Sequence, residues 1–232
     1  MIHNGKRGHG KIIFVTGTDT GVGKTLLATL LLYHLREQGC HALGMKPFAC
    51  ASRADTRLLQ EAQDCELTVE EISPFYFPRP VAPLIAAEKL KRKISKDEVL
   101  TRIRRLKNRV EYLIIEGCGG LLVPLGKNYT VADLIAALNC SAVVVGRNKL
   151  GTINHTLLTA NALNEIGKRD FKVVLMNQRR SDVSSETNRQ TLEKLLRRPV
   201  IEFPFLRGNT GVSVTLRNSH EKVKKILARI LE

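Results

Sequence analysis

A glycine-rich stretch that ends in lysine and threonine is the part of the chain whose residue types most clearly predict chemistry. It spans residues 17–25 and reads GTDTGVGKT. The apolar run before it, KIIFVT at 11–16, is typical of a buried strand, and the apolar run at 26–38 is typical of a helix that Gly39 ends. Strand, glycine-rich loop, Gly-Lys-Thr and helix together predict a loop that binds phosphate groups.

The chemistry of such a loop follows from its backbone and from two side chains. Backbone N–H groups of the loop and of the helix N-terminus point at phosphate oxygens. Lys24 adds a positive charge, and the hydroxyl of Thr25 can ligate Mg²⁺. Five residues separate Gly17 from Gly23, one more than the usual motif has. A plain glycine-rich turn is disfavoured because both the strand and the helix are in place.

Strand-like and helix-like runs alternate along the whole chain, and this predicts how the loop is positioned. Predicted strands cover 11–16, 41–45, 112–115, 141–145, 171–176 and 200–203. Predicted helices cover 26–38, 54–65, 84–90, 96–108, 130–138, 154–166, 185–196 and 221–231. The pattern predicts a three-layer α/β fold that is P-loop NTPase-like, with a mostly parallel sheet and helices on both faces.

The domain organisation predicted from the same pattern is simple. Residues 1–10 are polar and basic and are expected to form a flexible tail, and 11–232 are expected to form a single domain. The proline-rich segment 75–83 is expected to be an ordered loop, because apolar residues flank it closely.

Polar residues at the ends of predicted strands are the next candidates, because ligands of parallel sheets sit at the carboxyl ends of strands. Lys46, Glu116 and Asn177 each follow such a strand. Glu116 and Asp55 are candidate carboxylates for Mg²⁺, which prefers hard oxygen ligands. From the residues alone, Glu116 could still be a surface carboxylate, Asp55 a helix N-terminal acid and Lys46 a solvated lysine.

The overall composition predicts the cellular compartment of the protein and the kinds of partner it binds. The 232 residues are 43% hydrophobic and carry a formal net charge of +15, with basic residues concentrated at 89–109. That segment could bind nucleic acid, but it lacks interleaved aromatics, so a solvated basic face without specific nucleic-acid binding is favoured. No apolar run could span a membrane, and no secretory signal is present. The five scattered cysteines favour a reducing cytoplasm and no disulfide framework.

With these motifs in place, the chain resembles the dethiobiotin synthetase family from about residue 14 to 206. The resemblance rests on VTGTDT with VGKT in the loop, Lys46-Pro47, Asp55, EGCGG at 116–120 with Pro124-Leu125, KLGTINH at 149–155, Asn177 and PFL at 204–206. The loop motif and the LGxINH motif together are quite specific.

The resemblance implies an ATP-dependent ligase of biotin biosynthesis. Its substrate would be 7,8-diaminononanoate, one amine of which takes up CO₂ (supplied as bicarbonate) to form a carbamate. The carbamate oxygen attacks the γ-phosphate of ATP to give ADP and a mixed carbamic–phosphoric anhydride, and the second amine then closes the ureido ring and expels phosphate. The family also implies a homodimer with composite sites, in which residues 150–154 of one subunit help to hold the diamine's carboxylate in the other.

The resemblance also implies roles for individual residues. Catalytic roles fall to Lys46, Lys24 and Thr20, and Mg²⁺ ligation falls to Thr25, Asp55 and Glu116. The implied nucleotide-binding residues are Gly21, Val22, Gly23, Lys24, Thr25, Leu26, Asp55, Glu116, Gly117, Cys118, Gly119, Asn177, Gln178, Pro204, Phe205 and Leu206. The implied substrate-binding residues are Thr20, Cys50, Leu150, Gly151 and Asn154.

Two departures from the family pattern touch the expected site. Many relatives carry Glu at the position of Gly21, so one acidic contact in the loop is missing. Many carry Ser or Thr at the position of Cys50, and a thiol is the weaker hydrogen-bond donor. Neither departure removes an expected phosphate or metal ligand.

Other functions remain open from the residues alone. A partitioning-type ATPase switch carries a second lysine five positions before the loop lysine, where this chain has Asp19. An amidoligase-like P-loop enzyme normally carries a glutaminase domain, for which this length leaves no room. A basic NTPase that binds nucleic acid is motivated only by charge.

Overall fold

A six-stranded parallel sheet forms the centre of the computed structural model, which describes residues 10–206 and 221–232. In chain order the described strands are β1 (Lys11–Gly17), β2 (Ala42–Met45), β3 (Phe48–Cys50), β4 (Phe75–Phe77), β5 (Tyr112–Glu116), β6 (Pro124–Gly126), β7 (Tyr129–Thr130), β8 (Ser141–Arg147), β9 (Phe171–Met176) and β10 (Val200–Phe203). The order across the central sheet is β10-β9-β8-β1-β5-β2, while β3 pairs with β4 and β6 pairs with β7 in two small ribbons.

The register of the central strands brings the predicted strand ends together. Val15 of β1 lies opposite Glu116 of β5 on one side and opposite Val143 of β8 on the other. These strands are buried on both faces, as near-continuous apolar runs of parallel sheets are. The glycine-rich loop after β1 therefore lies beside the turn after β5.

Helices cover both faces of this sheet. They are α1 (Lys24–Glu37), α2 (Ala54–Ala62), α3 (Val69–Ile72), α4 (Pro83–Lys89), α5 (Lys96–Lys107), α6 (Val131–Leu138), α7 (Thr152–Glu165), α8 (Asn188–Leu196) and α9 (Glu221–Leu231). Helix α1 contacts α2 and α9, whereas α5 contacts α6 and α7 contacts α8. Right-handed crossovers place α1, α2 and α9 on one face of the sheet and α5, α6, α7 and α8 on the other. This arrangement confirms the predicted three-layer architecture. No helix in the described ranges is long and apolar enough to cross a membrane.

Helix α5 shows how local sequence signals set an element. The hydroxyl of Ser95 accepts a hydrogen bond from the N–H of Glu98, which caps the N-terminus. Acidic residues occupy the first turn and basic residues the last, which complements the helix dipole. The apolar stripe at 99, 100, 103 and 106 is buried as its spacing predicts.

The structure corrects several predicted boundaries. Part of segment 75–83 is the strand β4, which the sequence pattern misses because three residues are too few to show alternation. The predicted helix at 185–196 is divided into a 3₁₀ turn (Val183–Glu186) and α8. Helices α1 and α7 each begin two residues earlier than predicted, after Gly23 and Gly151 in left-handed conformations.

The predicted tail falls almost wholly outside the described residues. Of residues 1–10 only Gly10 is described, and it is buried. A side chain at Gly10 would collide with the carbonyl oxygens of Lys107 and Val110, so the described chain begins in close contact with the end of α5.

A buried glutamine pairs with the backbone of β2, the strand at one edge of the central sheet. Gln63 is fully buried at the end of α2; its Oε1 accepts from the N–H of Gly44 at 2.9 Å, and its Nε2 donates to the Gly44 carbonyl at 3.4 Å. The side chain replaces the neighbouring strand that β2 lacks, because buried backbone groups need partners.

We predict that Gln63→Leu lowers the free energy of unfolding by roughly 2–4 kcal/mol, because each buried backbone group left unpaired costs about 1–3 kcal/mol. Urea denaturation measures the change. The matched control Gln190→Leu alters an exposed position of α8 and should shift stability by about 0.5 kcal/mol or less. Equal effects of the two variants would show that the Gln63 hydrogen bonds contribute little.

Candidate active site

A cleft of about 640 Å³ opens at the carboxyl ends of β1, β2 and β5. The glycine-rich loop forms one wall, and the turn after β5 lies beside it. The lining residues are Thr20, Gly21, Gly23, Lys24, Thr25, Lys46, Cys50, Ala51, Asp55, Pro80, Val81, Ala82, Pro83, Glu116, Cys118, Gly119 and Val123. The prolines at 80 and 83, which the sequence analysis placed only in a loop, therefore belong to the wall of the cleft.

The glycine-rich loop presents unpaired backbone donors to this cleft. Helix α1 begins at Lys24 without a side-chain cap, so the first N–H groups of the helix have no side-chain partner. Gly23 is left-handed, with φ of 105°, and a Cβ there would lie 3.1 Å from the Met176 side chain. The N–H of Thr18 donates to the Val145 carbonyl at 2.9 Å, which ties the loop to β8. This is the geometry of an anion site at a helix N-terminus.

Lys24 is bent back over the loop. Its ammonium donates to the Asp19 carbonyl at 2.7 Å, and only 6% of the residue is exposed. Burial lowers the pKa of Lys24, an effect that the Glu116 carboxylate partly opposes. A lysine held in this way is a compact positive group at the mouth of the anion site.

Glu116 is the centre of the polar contacts. It is 1% exposed, and its Oε1 accepts hydrogen bonds from Lys46 Nζ at 2.6 Å and from the Thr25 hydroxyl at 2.7 Å. Lys46 Nζ also donates to Asp55 Oδ2 at 2.5 Å. The structure thus brings together Thr25, Lys46, Asp55 and Glu116, four residues that are far apart in sequence.

Glu116 and Lys46 are both buried, and each shifts the pKa of the other. Burial raises the pKa of Glu116, and the positive charge of Lys46 offsets this only in part, so the pKa stays raised. Burial would lower the pKa of Lys46, but the carboxylates of Glu116 and Asp55 outweigh it and the pKa of Lys46 is raised. Lys46 is therefore a firmly charged cation beside the anion site.

The oxygen atoms around Glu116 fit a magnesium ion. Thr25, Asp55 and Glu116 supply the hard oxygen donors that Mg²⁺ prefers. The second oxygen of Glu116, Oε2, is buried and has no hydrogen-bond partner in the described part of the chain. An unpartnered buried carboxylate oxygen is costly unless a ligand completes it. Within 10–206 and 221–232 no three His, Cys, Asp or Glu side chains cluster as a metal site by themselves.

Two cysteines line the same cleft. Cys50 ends β3 and Cys118 lies in the turn after β5; both are free cysteines that line the cleft. Interaction with the Cys118 thiol, together with burial, raises the pKa of Cys50, and interaction with Cys50 lowers the pKa of Cys118. The next residue, Ala51, has φ of 69°, a conformation that strains a non-glycine residue.

The predicted substrate-binding residues fall into two separate groups. Thr20 and Cys50 line the main cleft. Leu150 instead lines a small pocket with Thr18 and Asp19 on the other side of the glycine-rich loop, and it is 79% exposed. Gly151 and Asn154 are exposed beside it at the start of α7. One copy of the chain therefore does not bring all five predicted residues into one cavity.

The predicted nucleotide-binding residues also divide. Those of the loop and of the turn after β5 surround the cleft, although the Val22 side chain is buried and Leu26 is half-buried within α1. The remaining ones, Asn177, Gln178 and 204–206, follow β9 and β10, where the N–H of Asn177 donates to the Phe203 carbonyl at 2.9 Å. Because Met176 packs against Gly23, this second group lies next to the start of α1.

Two residues that contact the site were missed by the sequence analysis. Arg147, the last residue of β8, donates from Nε and Nη2 to the Gly21 carbonyl at 3.0 and 2.9 Å. Asn148 donates to the Oδ1 of Asn177 at 2.9 Å. Their position at a strand end was the available signal, but neither residue belongs to a motif with a known spacing.

Comparisons with known proteins agree on one family. A family model described as an AAA domain matches residues 11–207. The ATP-dependent dethiobiotin synthetase BioD of Bacillus licheniformis is 41% identical over 197 residues, which cover 82% of this chain and 84% of that protein. The protein of the same name from Akkermansia muciniphila is 38% identical and covers 81% and 88%. The one from Anaeromyxobacter sp. (strain K) is 44% identical and covers 70% and 75%.

Solved structures support the fold. A ParA family ATPase from Chlorobium tepidum TLS superimposes with a TM-score of 0.59 at 15% identity, covering 97% of this chain and 99% of that one. The MinD cell division protein of Aquifex aeolicus gives 0.58 at 17% identity, covering 95% and 96%. These similarities establish that the chain has a P-loop ATPase fold, and they carry no information about its activity. The identities to the synthetases are high and extend over most of the chain, and the chain therefore belongs to the dethiobiotin synthetase family.

Proposed function

We propose that this protein is an ATP-dependent cyclo-ligase that forms dethiobiotin from 7,8-diaminononanoate. The observation that carries the proposal is the placement of Lys46 and Glu116 beside an anion-binding glycine-rich loop, in a chain that is 41% identical to a protein named for this activity. In such a site Lys24 and Lys46 would both supply positive charge to a transferring phosphoryl group.

Binding of ATP would use the loop and the start of α1. The uncapped N–H groups and Lys24 would hold the phosphates, and the Lys24 ammonium need only exchange the Asp19 carbonyl for a phosphate oxygen. Asn177, Gln178 and residues 204–206 would contact the base, because they lie beyond Met176 at the neighbouring strand ends. Lys24 thus acts on the ground state of the nucleotide.

Lys46 would act later in the reaction. We infer that one amine of the substrate takes up CO₂ as a carbamate, and that the carbamate oxygen attacks the γ-phosphate and displaces ADP. The second amine then closes the ring on the resulting mixed anhydride and expels phosphate. Negative charge then develops on the carbamate and the phosphoryl group, within reach of a buried lysine that is firmly charged. Thr20 and Cys50 line the same cleft and would contact the diamine.

Mg²⁺ would be held by Thr25, Asp55 and Glu116. The unpartnered Oε2 of Glu116 supports this assignment, since it offers a buried lone pair to a cation. When bound, the ion would neutralise phosphate charge. Lys46 pairs with the carboxylates of both Asp55 and Glu116, which are also the proposed ligands of the ion. The Lys46 ammonium and the ion would therefore share the negative charge of these two carboxylates.

Several features separate this proposal from a partitioning-type switch, whose fold the chain shares. Position 19, where that class has a second lysine, is aspartate here, and its carbonyl serves as the resting partner of Lys24. The basic segment 89–109 is also partly engaged: Arg92 lies over the ring of Phe77, and Arg102 lies over Phe75 and pairs with Glu98. The absence of specific nucleic-acid binding and the cytoplasmic location stay predictions.

The function is tested by ADP release that depends on both diaminononanoate and bicarbonate. We expect Lys46→Met to lower turnover by about a hundredfold, corresponding to a transition-state contact of on the order of 3 kcal/mol, with a much smaller change in ATP affinity measured by calorimetry. The exposed control Lys89→Met should leave both unchanged. Circular dichroism must show that Lys46→Met is folded, since it leaves Glu116 without its cation.

Absence of diamine-dependent ADP release from the wild-type protein would refute the function. Parallel loss of ATP affinity and turnover in Lys46→Met would instead make Lys46 a ground-state phosphate ligand.

The metal assignment predicts a shifted magnesium requirement. Glu116→Gln keeps the size of the side chain and removes the charge that the ion needs, so half-maximal turnover should require at least about tenfold more Mg²⁺, with nucleotide binding less affected. A titration of turnover against Mg²⁺ measures this. An unchanged titration curve would assign Glu116 a purely structural role with Lys46.

We also infer that the protein works as a homodimer with composite sites. Leu122 and Leu158 are more than half exposed, and they line one groove with Thr18 and Asp19 of the glycine-rich loop. Leu150 is exposed in the adjoining pocket. A second copy on this face would cover these apolar side chains and would add its own Leu150, Gly151 and Asn154 to the cleft.

A composite site predicts complementation between inactive variants. Lys46→Met and Asn154→Ala impair different halves of each site, so a mixed dimer contains one wild-type site and one doubly altered site. Mixing equal amounts should recover roughly a quarter of wild-type turnover, because half of randomly paired dimers are mixed. Turnover equal to the mean of the two separate variants would exclude shared sites, and sedimentation shows whether dimers form.

A further inference from the structure

Three asparagine side chains form a buried chain of amides beside the proposed base-binding residues. Asn148, after β8, and Asn188, at the start of α8, are each 2% exposed. Asn148 Nδ2 donates to Asn177 Oδ1 at 2.9 Å and to the Ser185 carbonyl at 3.3 Å. Asn188 Nδ2 donates to Asn148 Oδ1 at 3.0 Å and to the Lys149 carbonyl at 3.3 Å.

The orientation of these amides is fixed by the backbone carbonyls at their ends. A carbonyl oxygen only accepts, so Asn148 must turn its NH₂ group toward Ser185, and Asn188 must turn its NH₂ group toward Lys149. The two requirements agree, because Asn148 Oδ1 then accepts from Asn188. Asn177 is left with one choice: its Oδ1 must face Asn148, since its NH₂ group would meet a second NH₂ group.

The other side of Asn177 is available to a ligand. The residue is half-buried, it follows Met176, and Met176 packs against Gly23 of the glycine-rich loop. Its Nδ2 has no hydrogen-bond partner in the described ranges. Asn177 therefore offers a donor from Nδ2, beside an Oδ1 that retains one lone pair for a second contact.

We infer that Asn148 is a positioning residue that locks the carboxamide of Asn177 and thereby selects a 6-amino purine over a 6-oxo purine. The inference rests on the proposed function, in which Asn177 faces the nucleotide base. Adenine offers an N6–H donor next to a ring-nitrogen acceptor, which complements Oδ1 and Nδ2. A 6-oxo purine would place its O6 against the Oδ1 lone pair. Asn177 could donate a hydrogen bond to O6 only if its carboxamide turned over, and Asn148 opposes that turn.

The test compares the affinities for ATP and for inosine triphosphate, whose base carries O6 in place of the amino group. Calorimetry on the whole protein measures both without the diamine, so the result does not depend on turnover. We expect the wild type to prefer ATP and Asn148→Ala to lose roughly tenfold of that preference, since a site built to hydrogen-bond its ligand discriminates strongly. The exposed control Asn164→Ala should keep it.

A double-variant comparison separates positioning from general damage. Asn177→Ala should lose the same preference, and the Asn148→Ala/Asn177→Ala pair should lose no more than Asn177→Ala alone, because Asn148 acts through Asn177. If Asn148→Ala does not fold, Asn177→Ala still decides, since it leaves Asn148 bonded to Ser185 and Asn188. The inference would be overturned if Asn177→Ala, or a folded Asn148→Ala, kept the ATP preference of the wild type. It would also be overturned if the wild type showed no preference. Loss of diamine-dependent ADP release with the preference intact would instead reject the proposed function.

Discussion

The buried carboxylate of Glu116 is the constraint on which the rest of the site depends. A carboxylate removed from water is strongly unfavourable unless it is paired and hydrogen-bonded. Here the partners come from two other elements: Thr25 from the first turn of α1, and Lys46 from the end of β2. The need to satisfy one charge therefore fixes the relative positions of the ends of β2 and β5 and the first turn of α1. It does so at the place where the glycine-rich loop presents its donors.

The same constraint balances charge in the cleft. Lys24 and Lys46 face Asp55 and Glu116, so the formal side-chain charges of these four residues cancel. Attraction of a polyanionic nucleotide must then come from the uncapped helix N-terminus, from any bound cation, and from the overall charge of +15. The high net charge acts at long range and steers anions, whereas the local pairs decide how they are held.

Much of the fold and part of the site follow from local sequence signals. Strands β9 and β10 were predicted to the residue, because apolar β-branched runs end there at polar residues or proline. Lys46, Asp55 and Glu116 could be named as candidates, but their convergence on one ammonium could not, since it depends on strand order. The ribbon of β3 and β4 was missed because three-residue strands have no period and pair with distant partners. The amide chain through Asn148 was missed for a similar reason, since its members come from three separate segments.

Arg147 and Gly21 occupy one shared space. The guanidinium lies where a side chain at position 21 would begin, with a Cβ there only 2.7 Å from Nη2, and the φ of 68° at Gly21 disfavours other residues. The glutamate that the family resemblance leads one to expect at this position would have to displace the arginine. Substitutions at the two positions are therefore epistatic: whether a side chain is tolerated at 21 depends on the residue present at 147.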